Sequence, residues 1–114
     1  MEENKDLLEK MRTHCKLKEK DLIFKQNPKS ALTFVQLKDS LSEVGHIMEE
    51  DIEKQIFVVL IMSGIANMNP AVVSVQLSES ILWFAGYAKE GLIKQHTAEK
   101  AIAKIEEVLD KKWD

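Results

Sequence analysis

The residues best suited to metal or nucleophilic chemistry are three histidines and one cysteine: His14, His46, His96 and Cys15. A structural zinc site needs four ligands at close paired spacings. His14 and Cys15 are adjacent, and neighbours on a helix point in different directions. The chain contains neither HxxxH nor CxxC. Cys15 falls on an apolar face, where a buried thiol is inert and has no base to activate it. His46 and His96 fall in connectors between predicted helices. Glu49, Glu50, Asp51 and Glu53 crowd one short stretch. Carboxylate metal sites in bundles draw acids from several helices, often with Glu-x-x-His. The one spacing match, Glu43 to His46, is broken by Gly45. The acids are therefore read as compensating the positive end of a helix dipole. Gly45, Gly64, Gly86 and Gly91 form no phosphate-cradling loop. The expectation is a protein without a cofactor or metal, and not an enzyme.

Charge is distributed unevenly over the 114 residues, whose net charge is −3. Residues 10–29 carry seven basic groups against two acids, and residues 31–70 carry two against six. Such asymmetry marks either a docking surface or two segments that neutralise each other in the fold. Arg12, Lys16 and Lys20 recur at i, i+4 spacing and form the candidate basic surface. Little aromatic character accompanies them beyond Phe24, whereas single-strand binders pair such charge with stacking rings. Nucleic-acid binding is therefore unlikely, as the acidic net charge also argues. One cysteine excludes an internal disulfide and fits a reducing compartment. The charged start, MEENKDLLEK, lacks the apolar centre of a signal peptide. The apolar run Ile56–Met62 is too short for a bilayer, which needs about 20 residues. No membrane partner is expected, and the expected location is cytoplasmic.

The elements that must position these residues are read as helices, in one helical domain over 1–114. Glu3 to about Phe24 forms the first, with Leu7, Leu8, Met11, Cys15 and Leu22 on one face. Asn27-Pro28 opens a second to Val44, closed by Gly45. The third, Ile47 to Ala66, is central, because seven consecutive apolar residues leave it no wet side. Asn69-Pro70 opens a fourth to Glu90, with Val73, Leu77, Ile81, Phe84 and Ala88 as its stripe. Thr97 caps a fifth, whose Ala98, Ile102, Ile105, Leu109 and Trp113 repeat at helical spacing. The predicted fold is all-α: about five helices in an orthogonal or antiparallel bundle of αα-hairpins around a buried central helix. The alternative is an α+β fold with a β-hairpin at 56–77, because IFVVLIMS is rich in β-branched residues. Val35-Gln36-Leu37 and Val75-Gln76-Leu77 echo each other forty positions apart. Two such copies fall short of a repeat array.

Function follows from surplus apolar surface. On the predicted fourth helix, Val72, Trp83 and Tyr87 lie beside a stripe already sufficient for a core. Trp and Tyr are favoured interface anchors. The first expectation is a small protein–protein interaction or regulatory module whose partner is another protein or a second copy. The alternative is a ligand-binding bundle or small enzyme whose pocket is lined by Met48, Met62, Met68 and Trp83, with His46 or His96 at its mouth. A third reading is a weak nucleic-acid binder through the basic N-terminal helix.

Overall fold

In a computed structural model describing residues 2–91 and 94–113, the apolar run IFVVLIMS is a strand, not a helix. It is β3 (Ile56–Ser63), and its residues from Ile56 to Val59 are all buried. Alternation sends Phe57, Val59 and Ile61 to one face, and Ile56, Val58 and Leu60 to the other. A run that is apolar on both faces needs cover on both, and helices supply it.

The chain runs α1 (Glu2–Arg12), β1 (Leu22–Pro28), α2 (Phe34–Val44), β2 (His46–Asp51), β3, β4 (Asn69–Ser78), β5 (Ile81–Tyr87) and α3 (Thr97–Trp113). Single 3₁₀ turns occupy Glu19–Asp21 and Ile65–Asn67. The five strands form one sheet in the order β1-β5-β4-β3-β2, and every neighbouring pair is antiparallel. No helix among the described residues is long and apolar enough to cross a membrane.

The all-α bundle, and with it the helical-bundle description, is thus corrected to α+β. The predicted central helix 47–66 is β2, a turn and β3. The predicted helix 70–90 is the β4–β5 hairpin. The alternative hairpin at 56–77 describes β3 and β4 but omits the other three strands. The first helix stops at Arg12, far short of Phe24, and the second begins at Phe34, not Pro28. The start of α2 is set by a capping box: Gln36 N donates to Thr33 Oγ1 at 3.1 Å, and Thr33 N donates to Gln36 Oε1 at 3.0 Å. Gly45 does close α2, its N–H donating to the Leu41 carbonyl. A Cβ there would collide with the Leu60 carbonyl oxygen of β3, so the turn into β2 requires glycine.

α3 forms where it is predicted. Its N-terminus, however, is capped from outside: the Glu90 carboxylate accepts Thr97 N at 2.9 Å and Gln95 N at 3.3 Å. Those backbone bonds hold the Glu90 carboxyl below its usual range. The Thr97 hydroxyl, expected to be the cap, is buried and accepts no backbone N–H of the first turn among the described residues.

The main core lies between the sheet and the α2–α3 layer. Leu37 and Leu41 of α2, and Ala98, Ala101, Ile102, Ile105 and Leu109 of α3, cover Phe57, Val59, Ile61, Ala71, Val73, Val75, Leu82 and Phe84. Phe34 stacks on Phe57, with centroids 4.2 Å apart. Small Ala98 and Gly86 let α3 approach β5; a Cβ on Gly86 would sit 3.1 Å from Ile102 Cδ1. α3 also guards the β1 edge, with Lys25 Nζ 2.7 Å from Glu106 and Lys29 Nζ 2.6 Å from Asp110. Trp113 Nε1 donates to Ser40 Oγ at 2.7 Å, tying α3 to α2.

The β4–β5 turn is two residues, Glu79 (φ 53°) and Ser80 (φ 65°), both left-handed. This is the type I′ geometry, which favours Asn-Gly. Replacing Glu79-Ser80 by Asn-Gly relieves left-handed strain in both residues and should raise stability by about 1 kcal/mol. Urea unfolding measures it; a lower midpoint would show that the two native side chains stabilise the turn by other contacts.

Candidate functional site

The chemistry-bearing side chains do not converge. Among the described residues, no three His, Cys, Asp or Glu side chains group as a metal site requires. Cys15 is half-buried, its thiol 3.7 Å from the Met11 carbonyl oxygen, and burial pushes its pKa up. His14 lies 2.8 Å from Glu49, and His96 lies 3.2 Å from Glu99. His46 is exposed and, with Met48, lines a shallow groove between α2 and β2. Trp83 borders a separate depression beside Phe24 and Gln26. Met62 and Met68 stand exposed at the β3–β4 connection. The four residues of the Met/Trp-lined pocket are thus spread over three places.

What the structure does gather is the outer face of the sheet, opposite α2 and α3. Val72 on β4 is directly opposite Tyr87 on β5, and Trp83 shares that face by alternation. Tyr87 is buried, while Val72 and Trp83 are half-buried. With Ile56 and Ala85 they form a second, smaller core, closed by Leu7 and Met11 of α1 and by Cys15 and Leu17 of the segment after it. Burial pushes the Tyr87 phenol up, with Asp21 and Cys15 adding to the shift. The three expected partner-binding residues therefore belong to one face, but as a seat for the protein's own N-terminal segment.

α1 is fixed to that seat by charge as well as by its two apolar anchors. Lys10 Nζ sits 2.9 Å from Glu49 and 2.9 Å from Asp51 on β2. Lys54 lies 3.5 Å from Asp6. Hydrogen bonds to Asp51 and then Glu49 raise the Lys10 pKa. Lys10 likewise holds Glu49 and Asp51 below the usual carboxylate range, helped by His14 at Glu49 and by the Lys54 backbone N–H at Asp51. Of the acids expected to compensate a helix dipole, Glu49, Glu50 and Asp51 are instead paired from the edge strand β2, and Glu53 is exposed in the turn after it. Glu50, on the opposite face of β2, pairs with Lys38 of α2 at 2.8 Å.

The basic segment divides in two. Lys10, Lys25 and Lys29 are matched within the fold. Arg12, Lys16 and Lys20 are exposed, as is Lys18, and form no ion pair among the described residues. Lys16 and Lys18 flank Leu17, which packs in the second core with Val72. From Val72 the outer face continues to its register partner Leu60, then to Met62 opposite Pro70. Beyond lies the connection carrying Ile65 and Met68. Met62 is 45% exposed, Ile65 64% and Met68 74%, three bare apolar side chains within seven residues of the chain. Their backbone is pinned. Lys104 Nζ donates to the Met62 carbonyl at 2.8 Å and also to the Asn67 side chain. Gln95 Oε1 accepts Ile65 N at 3.0 Å and the Asn69 amide. Ala66 (φ 56°) and Asn67 (φ 54°) are held left-handed within this scaffold, and such strain clusters at binding sites.

No protein-family model, curated protein or solved structure matches the chain significantly. Ile65 and the Lys10 pairings were not singled out from sequence. The acids are 39 and 41 positions from Lys10, and no local spacing signals such a contact.

Because the folded-state pKa values of Glu49 and Asp51 are lowered, their pairing with Lys10 contributes stability that is complete above about pH 5 and lost as pH falls below roughly 4. A Lys10→Met variant should therefore be less stable than the native chain at neutral pH, by a gap that is smaller at about pH 3. Denaturant unfolding at the two pH values checks this; a gap independent of pH would mean that Lys10 acts through its aliphatic stem.

Proposed function

We propose that the protein is a protein–protein interaction module, not an enzyme, and that it docks a partner on the bare end of the outer sheet face. The carrying observation is three exposed apolar side chains, Met62, Ile65 and Met68, at a pinned connection. Met62 lies on the same face as Leu60 and its register partner Val72, which packs in the second core with Leu17 between Lys16 and Lys18, both without an ion pair among the described residues. Monomeric proteins seldom leave contiguous apolar surface bare without use, and a rigid backbone beneath it lowers the entropy lost on binding. An apolar centre with a cationic flank is complementary to a segment rich in Leu or Phe and in Asp or Glu. The proposed occupant is such an acidic, apolar segment of another protein. The half-buried free thiol of Cys15 fits work in a reducing compartment, here taken as the cytoplasm.

Titrating isotopically labelled protein with an acidic peptide carrying spaced leucines tests this by NMR. Shifts should concentrate at Leu60–Val72 and Cys15–Lys18. Ile65→Ser/Met68→Ser and Lys16→Glu/Lys18→Glu should each weaken binding by about tenfold, as loss of an anchor or a steering pair does. A peptide with its leucines replaced by serine should not bind. If that control, or a single-stranded oligonucleotide, binds as well, the surface is a simple polyanion binder and the proposal fails.

A further inference from the structure

α1 covers the outer face of the sheet, where Leu7 and Met11 close the second, smaller core over Ile56, Ala85 and Tyr87. We infer that the outer face of the sheet is a helix-binding site whose built-in occupant is α1, and that a partner's amphipathic helix carrying a cation can take its place. This does not depend on the bare tip described above: it rests on Leu7, Lys10 and Met11 and on what they cover, not on Met62, Ile65 and Met68.

Four observations carry it. The main core contains no residue of α1, so that helix can leave without opening the α2–α3 layer. Among the described side chains of α1 only two, Leu7 and Met11, are fully buried, and a connector without regular structure, Thr13–Lys18, follows the helix closely. Beneath it, the fit is incomplete. Ser74 and Gln76 lie on the outer side of β4, in line with Val72, and are buried, yet among the described residues Ser74 Oγ and Gln76 Oε1 have no hydrogen-bond partner. Buried polar atoms are ordinarily satisfied, and Gln76 Oε1 can accept from a donor that α1 does not bring. Finally, charge sets the chemistry of the occupant. Glu49 and Asp51 stand together at the β2 side of the face, and Lys10 is placed to bridge both.

The register of α1 states what fits. Leu7 and Met11 are i and i+4, one above the other on a single helix face, and Lys10 at i+3 reaches the acids. The partner helix is therefore apolar at i and i+4 and cationic at i+3, with a polar donor on the same face for Gln76. This is the helix-in-groove mode of recognition. The tethered α1 competes at an effective concentration in the millimolar range, so an external helix gains access when α1 is weakened.

Two measurements on the full-length protein test the inference. In native-state hydrogen exchange, amides of α1 around Leu7–Met11 should exchange about a hundredfold faster than those of α3 around Ile102–Leu109, reporting separate opening. Equal rates would show that α1 leaves only on global unfolding, and would overturn the proposal. The second uses a fluorescent synthetic peptide of residues 2–13. It should bind a Lys10→Glu protein, whose own helix is repelled by Glu49 and Asp51, about tenfold more tightly than the native protein. The same peptide carrying Lys10→Glu should not bind. A Lys10→Glu protein that stays folded by circular dichroism and binds the native peptide no better than a scrambled one would also overturn it. If that variant unfolds, the exchange rates of the native protein decide alone.

Discussion

The structure depends on the need to bury β3 from both sides. Ile56–Met62 offers no polar residue to either face, so neither side of the sheet's middle can stay wet. Antiparallel sheets commonly leave one face in water. Here that solution is closed, and a second layer is required beyond α2 and α3. α1 meets the requirement only in part. It lies over the rows nearest Ile56 and Gln76, and the Cys15–Leu17 segment extends the cover to Val72 and Tyr87. The last row, Met62 and Pro70, receives none and is exposed. The bare end and the loosely fitted helix are two outcomes of one shortage of cover.

Sheet edges impose a second constraint, and its solution feeds the first. An open edge offers unpaired backbone groups to any passing strand. On β1 the device is Lys25, Pro28 and Lys29, with α3 carboxylates clamped over the two lysines. On β2 it is a bulge at Met48 and the run Glu49-Glu50-Asp51. These acids protect the edge, and two of them also hold α1 through Lys10. Edge protection and helix attachment are thus performed by the same carboxylates. A change at Glu49 or Asp51 acts on both.

α3 was legible because its apolar residues repeat at i, i+4, i+7 and i+11 without a competing pattern, and a single helix face satisfies them. The sheet was not. Val-Gln-Leu shows why: at 35–37 it is helical in α2, and at 75–77 it is extended in β4. The first copy follows the capping box at Thr33, a local signal that was present in the sequence and would have set the start of α2 correctly. The second copy lies between two strands, β5 pairing with all three residues and β3 with Val75 and Gln76, and that is information from distant residues. The acids before Ile56 resembled a helix start because a dipole and a basic partner helix both attract carboxylates. Nothing local separates the two. Trp83 and Tyr87 share a side whether the chain coils or extends, so their grouping survived the change of fold. Val72, grouped with them on the predicted helix by coiling, is kept beside them in the sheet by the β4–β5 register, which sets it opposite Tyr87.

The two faces also differ in what they allow to move. On the inner face, buried side chains from two helices interlock with strands β3, β4 and β5, and Trp113 and Lys112 tie α3 to α2. Opening that layer exposes most of the core at once. On the outer face, two side chains and a set of partly exposed ion pairs hold α1, and exposed ion pairs contribute little individually. Binding surfaces are drawn from the regions of lowest local stability, because a partner must compete with whatever covers them. By that criterion the face carrying Val72, Trp83 and Tyr87 is where this fold can exchange an internal contact for an external one. The inner face cannot do so without losing the sheet's main support.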